Sequence, residues 1–460
     1  MKLFLLIIVA LLTSCASVSK PEQKTIHDFD KAKLDSFFSI IDENDKGMGS
    51  VSIFQNGKEV YSNQFGYRDI ENRLQIDSET KFWICSISKT FMAVVIMQMV
   101  DEGKLSLETK LSEYFPQVKN ADKITIKQML NHSSGIKDFI SDPNLASWGL
   151  SPINKEDFVR IISEYDPDFE PGEDTLYSNS PFTLLAFIVE QIDEMSYDQI
   201  LLKRIIEPLN LKNTYTVKGI DPNKNEALSY IKAAEWIKVQ SLHPSVVIGC
   251  GDVVSTPKDA NIFFYNLFNG NLVSKESLKK MMETHSVNIS NSKIDIGLGL
   301  VRSLFTTKRE YGHIGGLDGF RTVSVHFLDD NTTISYFSNA EVTLRKYILV
   351  GVHNIYFGLD FDLPIFEESK SIDINILEQY TGVYENEEYN IKLTVFIENG
   401  RLMAKGSGPG QAAFPLEAIN ETSFIFELAN IKIEFIPERD VMNYTQGPVQ
   451  LIFTKVSGIE

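Results

Sequence analysis

Residues 91 to 100 limit the fold more than any other part of this chain. Phe91, Met92, Val94, Val95, Ile96, Met97, Met99 and Val100 leave no polar face. A helix that is apolar all round is stable only when other elements surround it. The chain must therefore build a sizeable domain around this segment, and Gly103 stands where such a helix stops. There is material for it: 460 residues, 43 % hydrophobic and 23 % charged, a globular and not a disordered composition. At roughly 100–200 residues per domain, the length suits two or three domains, or one large domain with a small appendage.

Ser86-Ile87-Ser88-Lys89 opens the apolar segment, and the helical pattern is read from Ser86. Residues three apart on a helix share a face, so Lys89 can reach Ser86. A serine hydroxyl becomes a useful nucleophile when a neighbour takes its proton. Burial is expected to lower the Lys89 pKa and make it a base. Free N–H groups at the helix start can hold a developing oxyanion. The Ser-x-x-Lys spacing alone is common by chance; its position at the head of a buried helix gives it weight.

Two further segments carry chemistry. Tyr177-Ser178-Asn179 follows Pro171-Gly172 and precedes the apolar Leu184-Leu185-Ala186-Phe187. A phenol shuttles protons when a nearby cation favours its anion, and an amide can hold both a lysine and a substrate carbonyl. A plain turn before a helix is the alternative reading. Gly312-His313-Ile314-Gly315-Gly316, followed by Asp318-Gly319-Phe320, lies at the edge of a strand. Glycines there let a substrate backbone approach the sheet; a structural histidine is the alternative.

The rest of the chain divides clearly. Ser50–Gln55 and Lys58–Phe65 read as strands joined by Asn56-Gly57, a strong hairpin signal. Residues 105 to about 240 read mainly as helices and loops. Pro257 marks an early position of a later helix. Ile296–Phe305, Arg321–Leu328 and Thr332–Phe337 read as strands, the last two joined by the turn Asp329-Asp330-Asn331. Strands at both ends and helices between them predict an α+β domain over 31–360, whose antiparallel sheet is closed by N- and C-terminal strands. A linker is expected over 361–376. From 377 to 460, short segments (Tyr389–Ile397, Arg401–Lys405, Ser423–Leu428, Ile431–Ile436, Val449–Thr454) predict a smaller all-β barrel or sandwich.

In this order, the three motifs resemble those of the penicillin-recognising serine hydrolases, the group of class C β-lactamases, D-alanyl-D-alanine peptidases and related esterases. Leu130-Asn131-His132-Ser133-Ser134-Gly135 and Gly251-Asp252-Val253-Val254-Ser255-Thr256-Pro257-Lys258-Asp259 resemble further segments of that family. The resemblance covers roughly residues 30 to 358 and implies a β-lactamase/transpeptidase-like fold. It implies that Ser86 is acylated, that Lys89 and Tyr177 move its proton, and that Asn179 orients lysine and substrate. His313 stands where many relatives have lysine. Backbone N–H groups of Ser86 and of Gly316, next to Gly315, would form the oxyanion hole. Ile314 replaces the usual threonine, which ranks a peptidase or esterase above a β-lactamase. Cys85 stands where glycine often precedes the serine. Tyr380-Thr381-Gly382-Val383-Tyr384 resembles the opening of the lipocalin-like β domain appended to many such hydrolases.

The N-terminus and the charge indicate where the chain works. Met1-Lys2, an apolar run from Leu3 to Leu12 and then Thr13-Ser14-Cys15 resemble a bacterial lipoprotein signal ending in a lipidated Cys15, an ordinary secretory peptide being the alternative. Residues 16–30 would be a tether, giving an exported, membrane-attached protein on the periplasmic or cell-surface face. Cys85 and Cys250 are expected as two isolated buried thiols, a disulfide being the alternative. The net charge of −18 argues against nucleic acid. The seven histidines lack a metal-ligand spacing, so no metal or other cofactor is expected. The partner is a small-molecule or peptide substrate. A non-catalytic surface lipoprotein of the same fold, binding cell-wall fragments or a protein, is the competing reading. Nothing in the sequence fixes an oligomeric state.

Overall fold

The computed structural model describes residues 27–232, 235–289, 292–302, 305, 308–342, 344–366, 370–408, 411, 413–426, 429, 431–447 and 449–457. The expected signal segment 1–15 with Cys15, and the tether up to residue 26, lie outside the described residues.

Helix α1 (Lys31–Glu43) starts at Asp30, whose carboxylate accepts from the Lys33 N–H at 2.8 Å. Strands β1 (Gly49–Gln55) and β2 (Lys58–Phe65) form the expected hairpin. Asn56 and Gly57 both take positive φ, 52° and 76°, as a two-residue turn matched to strand twist requires. Helix α2 (Ser88–Asp101) is the apolar segment, with every residue from Phe91 to Met97 buried. It begins two residues later than the sequence suggests: Ser86 belongs to a 3₁₀ turn, Cys85–Ile87, that feeds the helix. Gly103, at φ 71°, follows its end.

The expected helical middle contains α3 (Ile126–Leu130) and α4 (Ser180–Asp193), and is followed by the helix expected at Pro257, α5 (Pro257–Phe268). It also holds short strands at Tyr215–Thr216, Tyr230–Lys232 and Trp236–Lys238. The sheet then resumes with β3 (His285–Ile289), β4 (Ser292–Ile296), β5 (Val301–Arg302), β6 (Glu310–Leu317), β7 (Phe320–Phe327) and β8 (Thr332–Ser338). The single strand expected over Ile296–Phe305 is broken. The chain turns at Gly297, whose N–H donates to Leu300 O at 2.8 Å. A Cβ on Gly297 would lie 2.2 Å from Met281 O, and one on Gly299 2.4 Å from the Ala93 Cβ. The turn therefore exists because the chain passes against α2 and Met281, too closely for side chains.

The eight strands order as β3-β4-β5-β6-β7-β8-β1-β2. Strand β8 pairs antiparallel with β1, so the C-terminal strands close on the N-terminal hairpin as expected. One face packs on α1 and α6 (Arg345–Tyr356), through Leu34, Phe37, Ile41, Ile348 and Val352 against Val51, Ile53, Val323 and Val325. The other face meets α5, whose Asn261 amide donates to Ser52 O at 2.9 Å. The Phe263 ring stacks on Phe91 at 3.7 Å, tying α5 to α2.

The C-terminal region forms one nine-stranded antiparallel sheet. Its two end strands, Phe414–Pro415 and Glu417–Ala418, are neighbours in sequence, so the sheet curls into a nearly closed barrel. The interior is filled by Tyr384, Val395, Phe424, Ile433, Phe435, Met442 and Phe453. Strands Gly382–Asn386 and Val441–Gln446 add to those expected. A short helix, Ile374–Glu378, straddles the expected linker end at 376, and its Leu377 joins the barrel core. Among the described residues no helix is long and apolar enough to cross a membrane.

Candidate active site

Ser86 sits in the 3₁₀ turn, and Lys89 lies in the first turn of α2. The Lys89 side chain is fully buried, at 0 % exposure. Its ammonium donates to Ser86 Oγ at 3.2 Å, to Asn179 Oδ1 at 2.7 Å and to Cys250 O at 2.7 Å. A buried ammonium persists only when such acceptors replace water. The expectation of a lowered Lys89 pKa is corrected here. Burial presses it down, but Tyr177, Cys250 and Asp138 outweigh burial and hold it above the ordinary lysine range. Lys89 is a buried cation at neutral pH.

The residue before the serine explains the tight turn. Cys85 takes φ 52°, a conformation that glycine adopts freely and other residues at a cost. Its thiol is buried and donates to Trp83 O at 3.3 Å. Ser88 Oγ accepts from Val253 N–H at 3.0 Å, and the Trp83 indole donates to Gly251 O. These bonds clamp the 249–253 loop, which supplies the Cys250 carbonyl, against the serine turn. Cys85 and Cys250 are free thiols and buried.

Tyr177 and Asn179 precede α4 and are held by the segment 130–138. His132 Nδ1 accepts from Ser178 N–H at 3.1 Å, and Leu176 N–H donates to His132 O at 3.1 Å. The His132 ring stacks on Tyr177 with centroids 4.4 Å apart. A Cβ on Gly135, at φ 73°, would lie 2.0 Å from Phe169 O. That close approach accounts for the glycine of the Asn131-to-Gly135 stretch. Lys89 Nζ lies 5.1 Å from the Tyr177 ring centroid. Burial, with Lys89 nearby, keeps His132 neutral by pushing its pKa well below the usual range.

His313 and the glycines come from β6. That strand pairs fully with β7, but pairs with β5 only at Gly312. Among the described residues, no strand pairs with its other edge from His313 to Leu317. His313 is buried, its Nδ1 is 2.6 Å from Ile314 O, and its ring centroid is 6.5 Å from that of Tyr177. Burial and then Lys89 push its pKa down to about 3, so it too is neutral. Ile314 points the other way and is 40 % exposed. A Cβ on Gly315 would lie 2.3 Å from Ile84 O, and Thr322 Oγ1 donates to the same carbonyl at 2.9 Å. Gly315 thus lets the serine turn press directly on the strand, while a Cβ on Gly316 would meet only the Arg321 side chain.

The structure therefore brings Ser86, Lys89, Tyr177, Asn179 and His313 together and presses Gly315 against the serine turn, with Gly316 next to it on β6. The sequence did not single out Asp138. Its carboxylate accepts from the Asn179 amide at 3.1 and 3.0 Å and from the Asn179 N–H at 3.1 Å. Its only sequence signal is a carboxylate three residues past Gly135. Among the described residues no cluster of side chains could hold a metal ion.

Comparison with known proteins agrees with this geometry. The Beta-lactamase family profile matches residues 39–349. Penicillin-binding protein 4* of Bacillus subtilis (strain 168) is 26 % identical over 87 % of this chain and 93 % of its own. Putative penicillin-binding protein PbpX of the same organism is 26 % identical over 64 % of this chain and 71 % of its own. D-amino acid amidase from Ochrobactrum anthropi SV3 superposes with a TM-score of 0.63 at 23 % identity, covering 70 % of this chain and 97 % of that one. The octameric penicillin-binding protein homologue from Pyrococcus abyssi gives 0.64 at 24 % identity, over 92 % and 100 %. A half-buried serine bonded to a buried lysine, a Tyr-x-Asn segment beside that lysine and a glycine-bearing strand thus sit in a matching fold: this chain belongs to the beta-lactamase family of serine hydrolases.

Proposed function

We propose that the chain hydrolyses an ester, amide or peptide bond through an acyl-enzyme on Ser86. The observation that carries this is the hydrogen bond between Ser86 Oγ and a lysine that is fully buried and cationic. Ser86 Oγ attacks the substrate carbonyl carbon. Its proton passes to Tyr177, acting as the phenolate paired with the Lys89 ammonium, which keeps its own proton. The N–H groups of Ser86 and Gly316 hold the oxyanion. Tyr177 then protonates the leaving amine or alcohol as the carbonyl re-forms. Water repeats the sequence on the acyl-enzyme and frees Ser86. Asn179 holds Lys89 and the substrate carbonyl; neutral His313 stands beside Tyr177.

Peptidase or esterase activity is favoured over β-lactam hydrolysis. Ile314, exposed on β6, offers an apolar flank and no hydroxyl to a substrate carboxylate. The expected specificity is for uncharged groups at that position. A panel of activated esters, D-amino acid amides, short peptides and a chromogenic cephalosporin, run with wild type and Ser86→Ala, tests this. Turnover of esters or amides that is lost in Ser86→Ala supports it. No turnover of any of them refutes it and leaves a binding protein of the same fold.

The same reading covers export: cleavage before Cys15, a lipid on Cys15, and attachment to the periplasmic or cell-surface face. Metabolic labelling with a fatty-acid analogue tests it. Label on wild type and none on Cys15→Ala is expected; an unlabelled wild type overturns it.

A further inference from the structure

We propose that Asp138 is a positioning residue: it fixes the Asn179 amide with its oxygen toward Lys89 and supplies the counter-charge for that buried ammonium. The inference rests on the acyl-transfer reading above.

The Asn179 amide has one accepting and one donating end, and the two orientations have nearly the same shape. Two neighbours decide between them. Lys89, an ammonium, can only donate, and it lies 2.7 Å from Oδ1. Asp138 lies at the other end, with its two oxygens 3.1 and 3.0 Å from Nδ2. Among the described residues, the hydrogen-bond partners of that carboxylate are N–H donors: the Asn179 amide, the Asn179 backbone at 3.1 Å and the Ile140 backbone at 3.3 Å. A group surrounded by donors is held as the acceptor-only carboxylate. Reversing the amide would put donor against donor on one side and acceptor against acceptor on the other.

Charge gives the same assignment. Asp138 touches neither Ser86 nor Tyr177, yet it is one of the groups that raise Lys89 against the cost of burial. The groups facing Lys89 are Tyr177, Cys250, His132, His313, Cys85 and Asp252. The two histidines are neutral, and Asp252 is pushed up to about 7 by its burial. Asp138 itself faces Lys89, Tyr165 and Cys250. Burial raises the Asp138 carboxyl as well, against the Asn179 and Ile140 N–H groups and Lys89, which favour its anion; of the two carboxyls it is the one joined to the lysine by a hydrogen-bond chain, through Asn179.

The local fold does not depend on Asp138 alone. Ser180 Oγ donates to Lys137 O at 2.6 Å and accepts from Phe139 N–H at 3.0 Å. Those two bonds join the same two segments.

Asp138→Asn removes the charge and keeps the shape. The Lys89–Tyr177 pair, relieved of that negative charge, takes up a further proton less readily. The acid limb of kcat/KM for an activated ester moves to lower pH, by about one unit, the low end for an opposite charge acting through an intervening group. KM stays within about twofold, because Asp138 does not touch substrate. Asp138→Glu keeps the charge and brings the limb back toward wild type. Thermal melts of both variants confirm the folded state used in the assay. A wild-type enzyme whose acid limb coincides with that of Asp138→Asn overturns this inference while leaving the acyl-transfer reading intact. A wild type that turns over no substrate overturns both.

Discussion

Replacing Lys89 with methionine separates what the lysine does for the fold from what it does for the chemistry. Methionine nearly matches its length and removes the charge. Lys89 is fully buried, and its ammonium makes three hydrogen bonds, at 3.2, 2.7 and 2.7 Å. A charge-assisted bond contributes about 1.5–3 kcal/mol, while removing an ammonium from water costs several kcal/mol after relaxation. The two effects are of similar size and opposite sign. Lys89→Met also relieves the desolvation while leaving Asn179 Oδ1 and Cys250 O without their donor, at about 1–3 kcal/mol each. The expected result is a small change in unfolding free energy in urea, within about 2 kcal/mol. Activity behaves differently, because proton transfer and orientation both fail; kcat/KM for an activated ester should fall by about 10²–10⁴. Equilibrium urea melts and steady-state kinetics on one preparation read both quantities. A variant that keeps more than a tenth of wild-type kcat/KM would show that Lys89 is a structural cation. A loss of stability large enough to leave the variant unfolded in buffer would refute the energetic balance.

Three further substitutions test the local geometry. Gly315→Ala places a methyl 2.3 Å from Ile84 O and 2.2 Å from Thr322 Oγ1; overpacking of this kind costs about 1–3 kcal/mol, so the melting temperature should drop and activity should collapse as the serine turn is pushed off β6. Cys85→Gly fits the φ of 52° and should retain activity, whereas Cys85→Val, β-branched at a positive φ, should lose it; equal kcat/KM for the two would refute the strained-turn account. His326, buried beside Thr333 and stacked on Phe268, has its pKa pushed down to about 3 by burial. The unfolded histidine titrates near 6.5, so below that pH the unfolded state binds the extra proton and stability falls as pH drops toward 3, by about 1.4 kcal/mol per unit. His313 acts in the same direction and Asp252, raised to about 7, in the opposite one. His326→Gln should therefore flatten the acid side of the stability profile by about one proton; an unchanged slope in urea melts from pH 6.5 to 4.5 would refute this.

How much of the site could be read from sequence depended on whether its parts were local. Ser86 and Lys89 are three residues apart, the Tyr177–Asn179 segment is contiguous and the β6 glycines are consecutive, so their spacing was legible. Asn56-Gly57 was legible for the same reason: the turn requires positive φ at adjacent residues, and both have it. What could not be read depends on burial and on contacts distant in sequence. The Lys89 pKa is set by groups near residues 138, 177 and 250, so a local expectation of simple desolvation gave the wrong sign. The break at Gly297 depends on how closely β4 passes Met281 and Ala93. The start of α2 was placed two residues early because a 3₁₀ turn and a helix share apolar spacing over one turn. Asp138 was missed because its partner, Asn179, is 41 residues away.

The nucleophile itself is the most direct test of the whole account. Incubation of the intact protein with a fluorophosphonate, followed by proteolysis and mass spectrometry, locates the covalent adduct. One adduct per chain is expected, on the peptide containing Ser86, forming more slowly as pH falls and absent from Ser86→Ala. No adduct on the wild type, or one that persists in Ser86→Ala, would contradict the assignment of Ser86 as the residue that carries the acyl group.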